Sequence, residues 1–143
     1  MVPDSIGWSL DPQLERDSVA AGDLALCQIR LMNDANYPWL LLVPRRRNVS
    51  EITDLTDADQ AQLMREIAQA GRALKAETAC DKINVAAIGN VVAQLHVHVV
   101  ARFRNDAAWP KPVWGRLPAR GYEKEAIDRL LTTLHRRLAN APA

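Results

Sequence analysis

The sequence has no long apolar segment, almost no excess of charge of either sign and few cysteines. Its longest strongly apolar run, Trp39 to Val43, is far shorter than the roughly 18 to 20 residues that a membrane-spanning helix needs. The 18 Lys and Arg residues nearly cancel the 17 Asp and Glu residues, and a net charge of +1 gives no global attraction for nucleic acid or an anionic membrane. We therefore expect neither a membrane nor a nucleic acid among the partners of this chain.

The N-terminus and the cysteines indicate the compartment. The N-terminus shows no basic stretch before an apolar core and no small-residue cleavage site after one, so we expect no secretory signal. Cys27 and Cys80 lie among apolar neighbours, which favours two reduced core thiols over a disulfide or a redox pair. The sequence therefore predicts a cytoplasmic protein in which neither cysteine has a chemical role.

Length and patterning predict the fold class. The 143 residues, 48% hydrophobic and 24% charged, are enough for one compact domain, and no internal repeat or linker divides residues 1–143. The apolar pattern predicts strands at Leu24–Met32, Trp39–Val43, Ile83–Ile88 and Gln94–Arg102, and helices from near Asp57 and over Tyr122–Ala139. Strands joined as hairpins rather than crossovers favour an α+β fold, an antiparallel sheet covered by helices.

Local signals mark the ends of these elements. Thr56 and Asp59 form a variant capping box at the start of the first helix. Gly89 and Asn90 suit a tight turn between the last two strands. We expect the Pro- and Trp-rich segment 105–121 to be irregular yet ordered, because its two tryptophans must pack somewhere.

The stretch QLHVHVV, which starts at Gln94, carries the most chemical information. Side chains alternate between the two faces of a strand, so Gln94, His96 and His98 share one face. The apolar residues between them face the core. Two of the three histidines of the chain therefore lie in line with a glutamine on a polar face.

The residues alone leave four interpretations of this pair open. The histidines are hydrogen-bonded structural residues, metal ligands, general acid–base groups, or a nucleophile with its partner. A metal site lacks a third ligand, since VVARFRND supplies no Glu and His135 lies on the last helix, so we expect no metal. A neutral imidazole attacks phosphorus and forms a phosphoramidate that water later hydrolyses.

The QLHVHVV stretch resembles the signature of the histidine triad (HIT) family, His-φ-His-φ-His-φ-φ with φ apolar, and Gln94 takes the place of the first His. Gly89-Asn90 resembles a family Gly-Gln, and Asn84 falls near a family asparagine. LMNDANYPWLLLVPRR resembles the family's first hairpin, in which Asn33 matches a residue that contacts ribose. The resemblance covers roughly residues 23–103. It implies a HIT-like sheet of about five strands with two main helices, and Gln at the first position resembles a bacterial subgroup.

This resemblance implies a nucleotide hydrolase or nucleotidyl transferase that cleaves a phosphoanhydride or phosphoramidate bond at the α-phosphate. His96 matches the nucleophile, which is transiently nucleotidylated, and His98 matches the residue that hydrogen-bonds the phosphate. Gln94 occupies the first catalytic position, where its amide can contact a phosphate without changing charge. The substrate-binding residues implied by the resemblance are Asn33, Asn84, Gly89 and Asn90. No cofactor or metal is required.

Two departures from the family pattern support a second hypothesis. Val91 stands where many members have Ser or Thr, and its side chain offers a phosphate no hydrogen bond. Together with Gln94, it favours a catalytically weak or inactive nucleotide-binding or regulatory module as the alternative.

The resemblance also implies a homodimer in which the sheets of two subunits join, with Trp114 reaching toward the partner. In the nucleotide pocket, Leu26 and Leu31 are expected to form apolar walls for the base. The run Arg45–Arg47 and Arg102 are expected to be solvated surface groups outside the site.

Overall fold

A five-stranded antiparallel sheet forms the frame of the molecule. The computed structural model describes residues 5–140. The strands are β1 Ser18–Asp23, β2 Cys27–Met32, β3 Trp39–Pro44, β4 Lys82–Ala86 and β5 Val97–Arg102. Their order across the sheet is β1-β2-β3-β5-β4, and every neighbouring pair is antiparallel. The α+β fold expected from the sequence is confirmed.

Three α-helices accompany the sheet: α1 Pro12–Asp17, α2 Asp57–Thr78 and α3 Lys124–Asn140, with one 3-10 turn at Ile52–Asp54. The long helices α2 and α3 contact each other and pack on the same face of the sheet, whereas the short helix α1 contacts β1. Within residues 5–140, no helix is long and apolar enough to span a membrane.

The start of α2 lies where the capping signal predicts it, but the box is only half formed. Thr56 Oγ1 accepts the N–H of Asp59 at 3.1 Å, which satisfies one free donor of the first turn. The Asp59 carboxylate does not reach back to the backbone of Thr56. It instead accepts from the guanidinium of Arg46 at 2.7 Å, so this arginine is paired with an acid.

Apolar side chains cover both faces of the central strands. Val97, Val99 and Ala101 of β5 belong to the larger core beneath α2 and α3. Val100 belongs to a second cluster on the opposite face, which includes Leu14 of α1. All residues of β3 and β5 are consequently buried, as the continuous apolar run of β3 predicts.

The N-terminal edge of the sheet differs from the prediction. The apolar pattern of the sequence predicts neither α1 nor β1, because SVAAGD is built from small and polar residues and carries a bulge before Gly22. The strand predicted from Leu24 begins only at Cys27. Leu24 N–H instead donates to the carbonyl of Cys27 at 2.8 Å, which closes a turn between β1 and β2.

The predicted tight turn at Gly89 and Asn90 is wrong. β4 ends at Ala86 and β5 begins at Val97, so residues 87–96 form an irregular loop between them. The backbone of this loop bonds outside the sheet, for example from Leu95 N–H to the carbonyl of Val49 at 3.0 Å. His96 therefore lies at the end of a loop, directly before β5.

The segment 105–121 is irregular and ordered, as expected, and one buried acid organises its start. Asp106 accepts backbone N–H groups from Phe103, Ala108 and Trp109. It also pairs with Arg102 at 2.8 Å. Arg102 is fully buried, so the expectation of a solvated Arg102 is wrong: the arginine at the end of β5 fixes the following segment.

Candidate active site

A cavity of about 420 Å³ opens on the face of the sheet opposite α2 and α3. Its lining residues come from α1, β2, β3, β5, the loop 87–96 and the segment 105–121: Gln13, Leu14, Asp17, Met32, Leu41, Ile88, Gly89, Asn90, Val91, Val92, His96, His98 and Trp114. Within the described chain, this lining holds both histidines of the motif, and its one formally charged residue is Asp17.

His98 is a neutral hydrogen-bond donor toward the cavity. The indole N–H of Trp39 can only donate, and its Nε1 lies 3.0 Å from His98 Nδ1. Nδ1 is therefore the acceptor, and the ring proton lies on Nε2. Burial, and secondarily the neighbouring His96, lower the pKa of His98 to about 4, so the imidazole is uncharged at neutral pH.

His96 has the opposite arrangement of its ring nitrogens. Its Nδ1 lies 2.7 Å from the backbone carbonyl oxygen of Gln94. A carbonyl only accepts, so Nδ1 carries the proton and donates, which leaves an unprotonated lone pair on Nε2. The two imidazoles stack edge to face with centroids 4.9 Å apart, and His96 is only 6% exposed. The site thus offers one nucleophilic nitrogen beside one N–H donor.

Two tryptophans hold His98 from the other side. Trp39 lies 5.6 Å from His98 between ring centroids, and Trp114 lies 5.2 Å from it at an interplanar angle of 78°. Trp39 and Trp114 also contact each other edge to face. Trp114 therefore packs against residues of its own chain and lines the cavity, and a contact of its partly exposed ring with a partner stays a prediction.

The loop before the histidines supplies the mouth of the cavity. Gly89 has a φ of 71°, a conformation that side chains with a Cβ rarely adopt, and it lies in the lining beside Asn90. Val91 is 94% exposed and also belongs to the lining. The loop therefore brings Gly89 and Asn90 to His96, as the sequence predicts.

Gln94 lies beside His96 but outside the cavity lining. Its backbone carbonyl accepts from His96, as described above. Its side-chain Oε1 accepts the N–H of Asp11 at 2.8 Å, and its Nε2 donates to the carbonyl of Ser9 at 2.9 Å. Each polar end of this amide is engaged by one hydrogen bond within the chain, so Nε2 keeps only one further N–H for another partner.

The two expected asparagine ligands also lie outside the lining. Asn33 follows β2, and its Oδ1 accepts the N–H of Tyr122 at 2.9 Å. Asn84 lies on β4, and its Oδ1 accepts from the buried guanidinium of Arg102 at 2.8 Å. The fold therefore brings Gly89, Asn90, His96 and His98 together, and it commits Asn33 and Asn84 to contacts within the chain.

The expected apolar walls lie on the wrong face. Leu26 and Leu31 are fully buried in the core beneath α2 and α3. Because strand residues alternate, it is Met32, next to Leu31, that points to the cavity, where it meets Leu41 of β3. These two side chains replace Leu26 and Leu31 as apolar walls.

Sequence reasoning also missed α1, which contributes Gln13, Leu14 and Asp17 to the lining. A readable signal was present. Asp11 precedes Pro12, an N-cap residue followed by proline at the first helical position, and Asp11 Oδ1 accepts the N–H of Gln13 at 2.8 Å. The helix was too short to show any periodicity.

Metal ligands do not cluster in the described residues: between residues 5 and 140, no group of three or more His, Cys, Asp or Glu side chains is arranged to hold an ion. Cys27 and Cys80 are free and buried. Desolvation by burial, and secondarily Glu66, raise the pKa of the Cys27 thiol well above its ordinary value, so this thiol stays protonated and unreactive.

Two alternate histidines that face one cavity, just before and within a central strand of a five-stranded antiparallel sheet, agree with the histidine triad class of proteins. The comparisons agree. The model of the HIT domain matches residues 13–105. The chain belongs to the HIT family.

Solved structures and curated proteins include similar chains. A histidine triad protein from Bradyrhizobium japonicum is 50% identical, with a TM-score of 0.90 over 92% of this chain and 98% of its own. One from Sinorhizobium meliloti 1021 is 44% identical, with a TM-score of 0.91 over 93% and 98%. A curated Mycobacterium tuberculosis protein named AP-4-A phosphorylase is 34% identical across 90% of this chain, which spans 65% of the length of that protein.

Proposed function

We propose that the chain is a nucleotide hydrolase or nucleotidyl transferase that cleaves a phosphoanhydride or phosphoramidate bond at an α-phosphorus. One observation carries the proposal: His96 donates from Nδ1 to the Gln94 carbonyl at 2.7 Å, so Nε2 keeps its lone pair. A nucleophile held in this tautomer needs no base to remove a proton before attack.

In the first step, the lone pair of His96 Nε2 forms a bond to the α-phosphorus. The bond from phosphorus to the leaving oxygen or nitrogen breaks, and the leaving group takes that electron pair and a proton from water. The phosphorylated imidazole is then cationic, with its proton on Nδ1. The Gln94 carbonyl oxygen, 2.7 Å from His96 Nδ1, stabilises the positive charge that the reaction creates.

In the second step, water attacks the phosphorus of the nucleotidyl-histidine, and the P–N bond breaks. Its electron pair returns to His96 Nε2, while the proton of water goes to solvent, and a nucleoside monophosphate leaves. If another nucleophile attacks in place of water, the same step is a nucleotidyl transfer. Dividing the displacement in two is what makes a cofactor unnecessary.

The groups around His96 hold the phosphate in this proposal. His98 is neutral because burial and then His96 lower its pKa to about 4, so it donates from Nε2 to a phosphate oxygen. The amide of Asn90 and the backbone of Gly89 line the same cavity and supply further polar contacts. Asn84 is engaged by Arg102, so the proposal gives it no contact with substrate.

The nucleoside part is assigned to the apolar end of the cavity. Met32, Leu41 and Trp114 provide flat or flexible apolar surface of the kind that accepts a base. Asn33 follows Met32 directly and stays a candidate for the ribose through its amide nitrogen. The relative named AP-4-A phosphorylase supports a nucleotide substrate with a phosphoanhydride bond.

The proposal includes a homodimer that joins two sheets through β4. β4 is the outermost strand of the sheet, and within the described residues its outer edge has no partner strand. Val85 of β4 is half exposed, and Ile88 just after it is also exposed. An open apolar edge of this kind pairs with another strand. Light scattering should find a dimer, and Val85→Lys should convert it to a monomer.

The test of the chemistry is mass spectrometry of the intact protein after brief mixing with an adenosine phosphoramidate or a dinucleoside polyphosphate, without acid treatment. The wild type should gain the mass of one mononucleotide, and His96→Ala should not. His135→Ala is the matched control, because His135 is exposed on α3, away from the cavity, and should retain the adduct.

The alternative function predicts another result. A nucleotide-binding module without turnover would be protected against thermal unfolding by adenosine monophosphate, yet neither substrate would give an adduct or a product. That outcome would refute the enzyme proposal and leave the binding site standing.

A further inference from the structure

The side chain of Gln94 connects the catalytic loop to the N-terminal segment. Its amide oxygen accepts from the backbone of Asp11, and its amide nitrogen donates to the backbone of Ser9. Both polar ends of the amide are thus used, across 83 and 85 positions of sequence. The contact is a two-point clamp on the segment that enters α1.

The clamped segment starts a helix that forms part of the cavity. Asp11, which Gln94 holds by its backbone, caps α1 through its carboxylate, 2.8 Å from the N–H of Gln13. Leu14 is buried in the cluster that also contains Trp39, and it lines the cavity together with Gln13 and Asp17. The position of this wall therefore depends on the residue that Gln94 holds.

The wall formed by α1 has the wrong chemistry for a phosphate. It presents the amide of Gln13, the apolar side chain of Leu14 and the carboxylate of Asp17, and no cation. The amide of Gln13 lies 2.9 Å from both oxygens of Asp17, and these oxygens can accept further donors. Hydroxyl groups and an apolar ring fit this surface, whereas a second negative charge would be repelled.

We propose that Gln94 is a positioning residue that fastens α1 as the nucleoside-side wall of the substrate cavity. The proposal rests on the proposed function, since it assigns the sugar and base of that substrate to α1. Gln94 then acts twice: its backbone carbonyl sets the tautomer of His96, and its side chain holds the wall against which the nucleoside is placed. The first triad position has an architectural role in this chain.

This role and a phosphate-binding role for Gln94 predict different kinetics. If its amide held the phosphate in the transition state, Gln94→Ala would lower kcat. If it holds α1, the variant loses binding of the nucleoside in substrate and transition state alike, so KM rises more than kcat falls. Two neutral hydrogen bonds are lost, which predicts a KM increase of about tenfold or more.

The experiment measures three quantities on wild type and Gln94→Ala: the affinity for adenosine monophosphate and adenosine by calorimetry, hydrogen exchange of residues 11–17, and the rate of adduct formation at saturating substrate. We expect about tenfold weaker binding of both ligands and faster exchange of α1, with an adduct rate within about threefold of wild type. Adenosine isolates the nucleoside contact, because it has no phosphate.

A second set of variants keeps the test independent of Gln94 itself. Asp11→Ala removes the cap of α1 and should weaken adenosine binding, whereas Asp11→Asn keeps a capping acceptor and should restore it. Thr56→Ala is the matched control, because Thr56 caps α2 through the same kind of bond away from the cavity. It should lower the stability of the protein without changing its affinity for adenosine.

Three outcomes would overturn the inference. The first is that Gln94→Ala and Asp11→Ala bind adenosine as tightly as the wild type does. The second is unchanged hydrogen exchange of α1, and the third is a wild type that binds neither ligand. Failure of the chemistry alone is distinguishable, since a protein that binds adenosine but forms no adduct refutes the proposed reaction and leaves the clamp in place.

Discussion

The central strands β3 and β5 are buried on both faces of the sheet, but the two faces are built in different ways. The face beneath α2 and α3 is covered by regular helices whose apolar side chains meet those of alternate strand residues. The opposite face is covered by a six-residue helix, an irregular loop and a segment without regular structure. The first, which we call the helical face, stabilises the fold through repeated apolar contacts. The second, which we call the site face, carries the groups available for chemistry.

Two buried acids, Glu66 and Asp106, show the same contrast between the faces. On the helical face, Glu66 of α2 accepts the backbone N–H groups of Leu26 and Cys27 and thereby holds the turn between β1 and β2. On the site face, Asp106 pairs with Arg102 and holds the segment that carries Trp114. One acid supports the sheet, and the other supports a wall of the cavity.

Asp106→Ala should have the largest effect on stability. Burial raises the pKa of Asp106, but hydrogen bonds from Arg102 and three backbone N–H groups outweigh it and lower this pKa to about 2. Removing the carboxylate leaves the guanidinium of Arg102 buried without its charge partner. We expect the free energy of unfolding to fall by about 3 to 5 kcal/mol in urea titrations.

Asp106→Asn is the control, because it keeps an acceptor for the backbone donors and should cost less than Asp106→Ala. Asp106→Ala should also weaken the binding of adenosine, because the segment around Trp114 becomes looser. An Asp106→Ala variant as stable as the wild type would show that the segment is held by its apolar contacts alone.

Substitutions of two adjacent residues compare the two faces directly. Leu31 is fully buried beneath the helices, whereas Met32 is half-buried and lines the cavity. Leu31→Ala should lower the free energy of unfolding by about 3 kcal/mol, because it leaves a void in a close-packed core. Met32→Ala should cost about 1 kcal/mol in the same titration and weaken nucleoside binding. Equal losses in the free energy of unfolding would contradict the inference that the helical face contributes more to stability than the site face.

Mild acid should reveal the buried histidine of the site face. The pKa of His98 is about 4 in the folded protein because of burial and then His96, against about 6.5 in an unfolded chain. Between these values the unfolded chain binds a proton that the folded protein does not, so stability falls as the pH falls. From pH 6.5 to pH 5 the loss should be about 2 kcal/mol.

His98→Asn is the matched variant for this pH dependence. Its Oδ1 can accept from Trp39 in place of the histidine Nδ1, and it does not titrate. Urea titrations at a series of pH values should therefore show a flatter dependence for the variant. A slope unchanged by the substitution would assign the acid sensitivity to another group.

The sequence predicts the helical face well because that face is periodic. Alternation along β5 correctly places Val97 and Val99 in the core and His98 on the other side. The cap at Thr56 correctly locates the start of α2. The prediction for Leu31 is wrong because it places the ligand on the face of the sheet beneath the helices. Alternation along a strand does not say which of two buried faces contains the cavity.

The bonds from Gln94 to residues 9 and 11 join segments that are more than 80 positions apart. The ion pair between Arg102 and Asp106 is local, and it joins the end of β5 to the irregular segment that follows. A motif predicts that His96 and His98 lie together, but not that one ring faces a carbonyl and the other an indole N–H. Those partners decide which ring nitrogen of each histidine carries the proton.

The smallest expected effect belongs to a substitution of Val91, at the mouth of the cavity. It is 94% exposed, so Val91→Ser should leave folding unchanged while it places a hydroxyl donor beside the phosphate site. An exposed hydrogen bond contributes about 1 kcal/mol, so the adduct at His96 should form about fivefold faster in rapid-mixing mass spectrometry. Ala93→Ser is the matched control, because Ala93 is exposed on the same loop but outside the lining, and it should change nothing. An unaltered rate in Val91→Ser would mean that the transferred phosphate does not pass this residue, and that the loop contacts the leaving group instead.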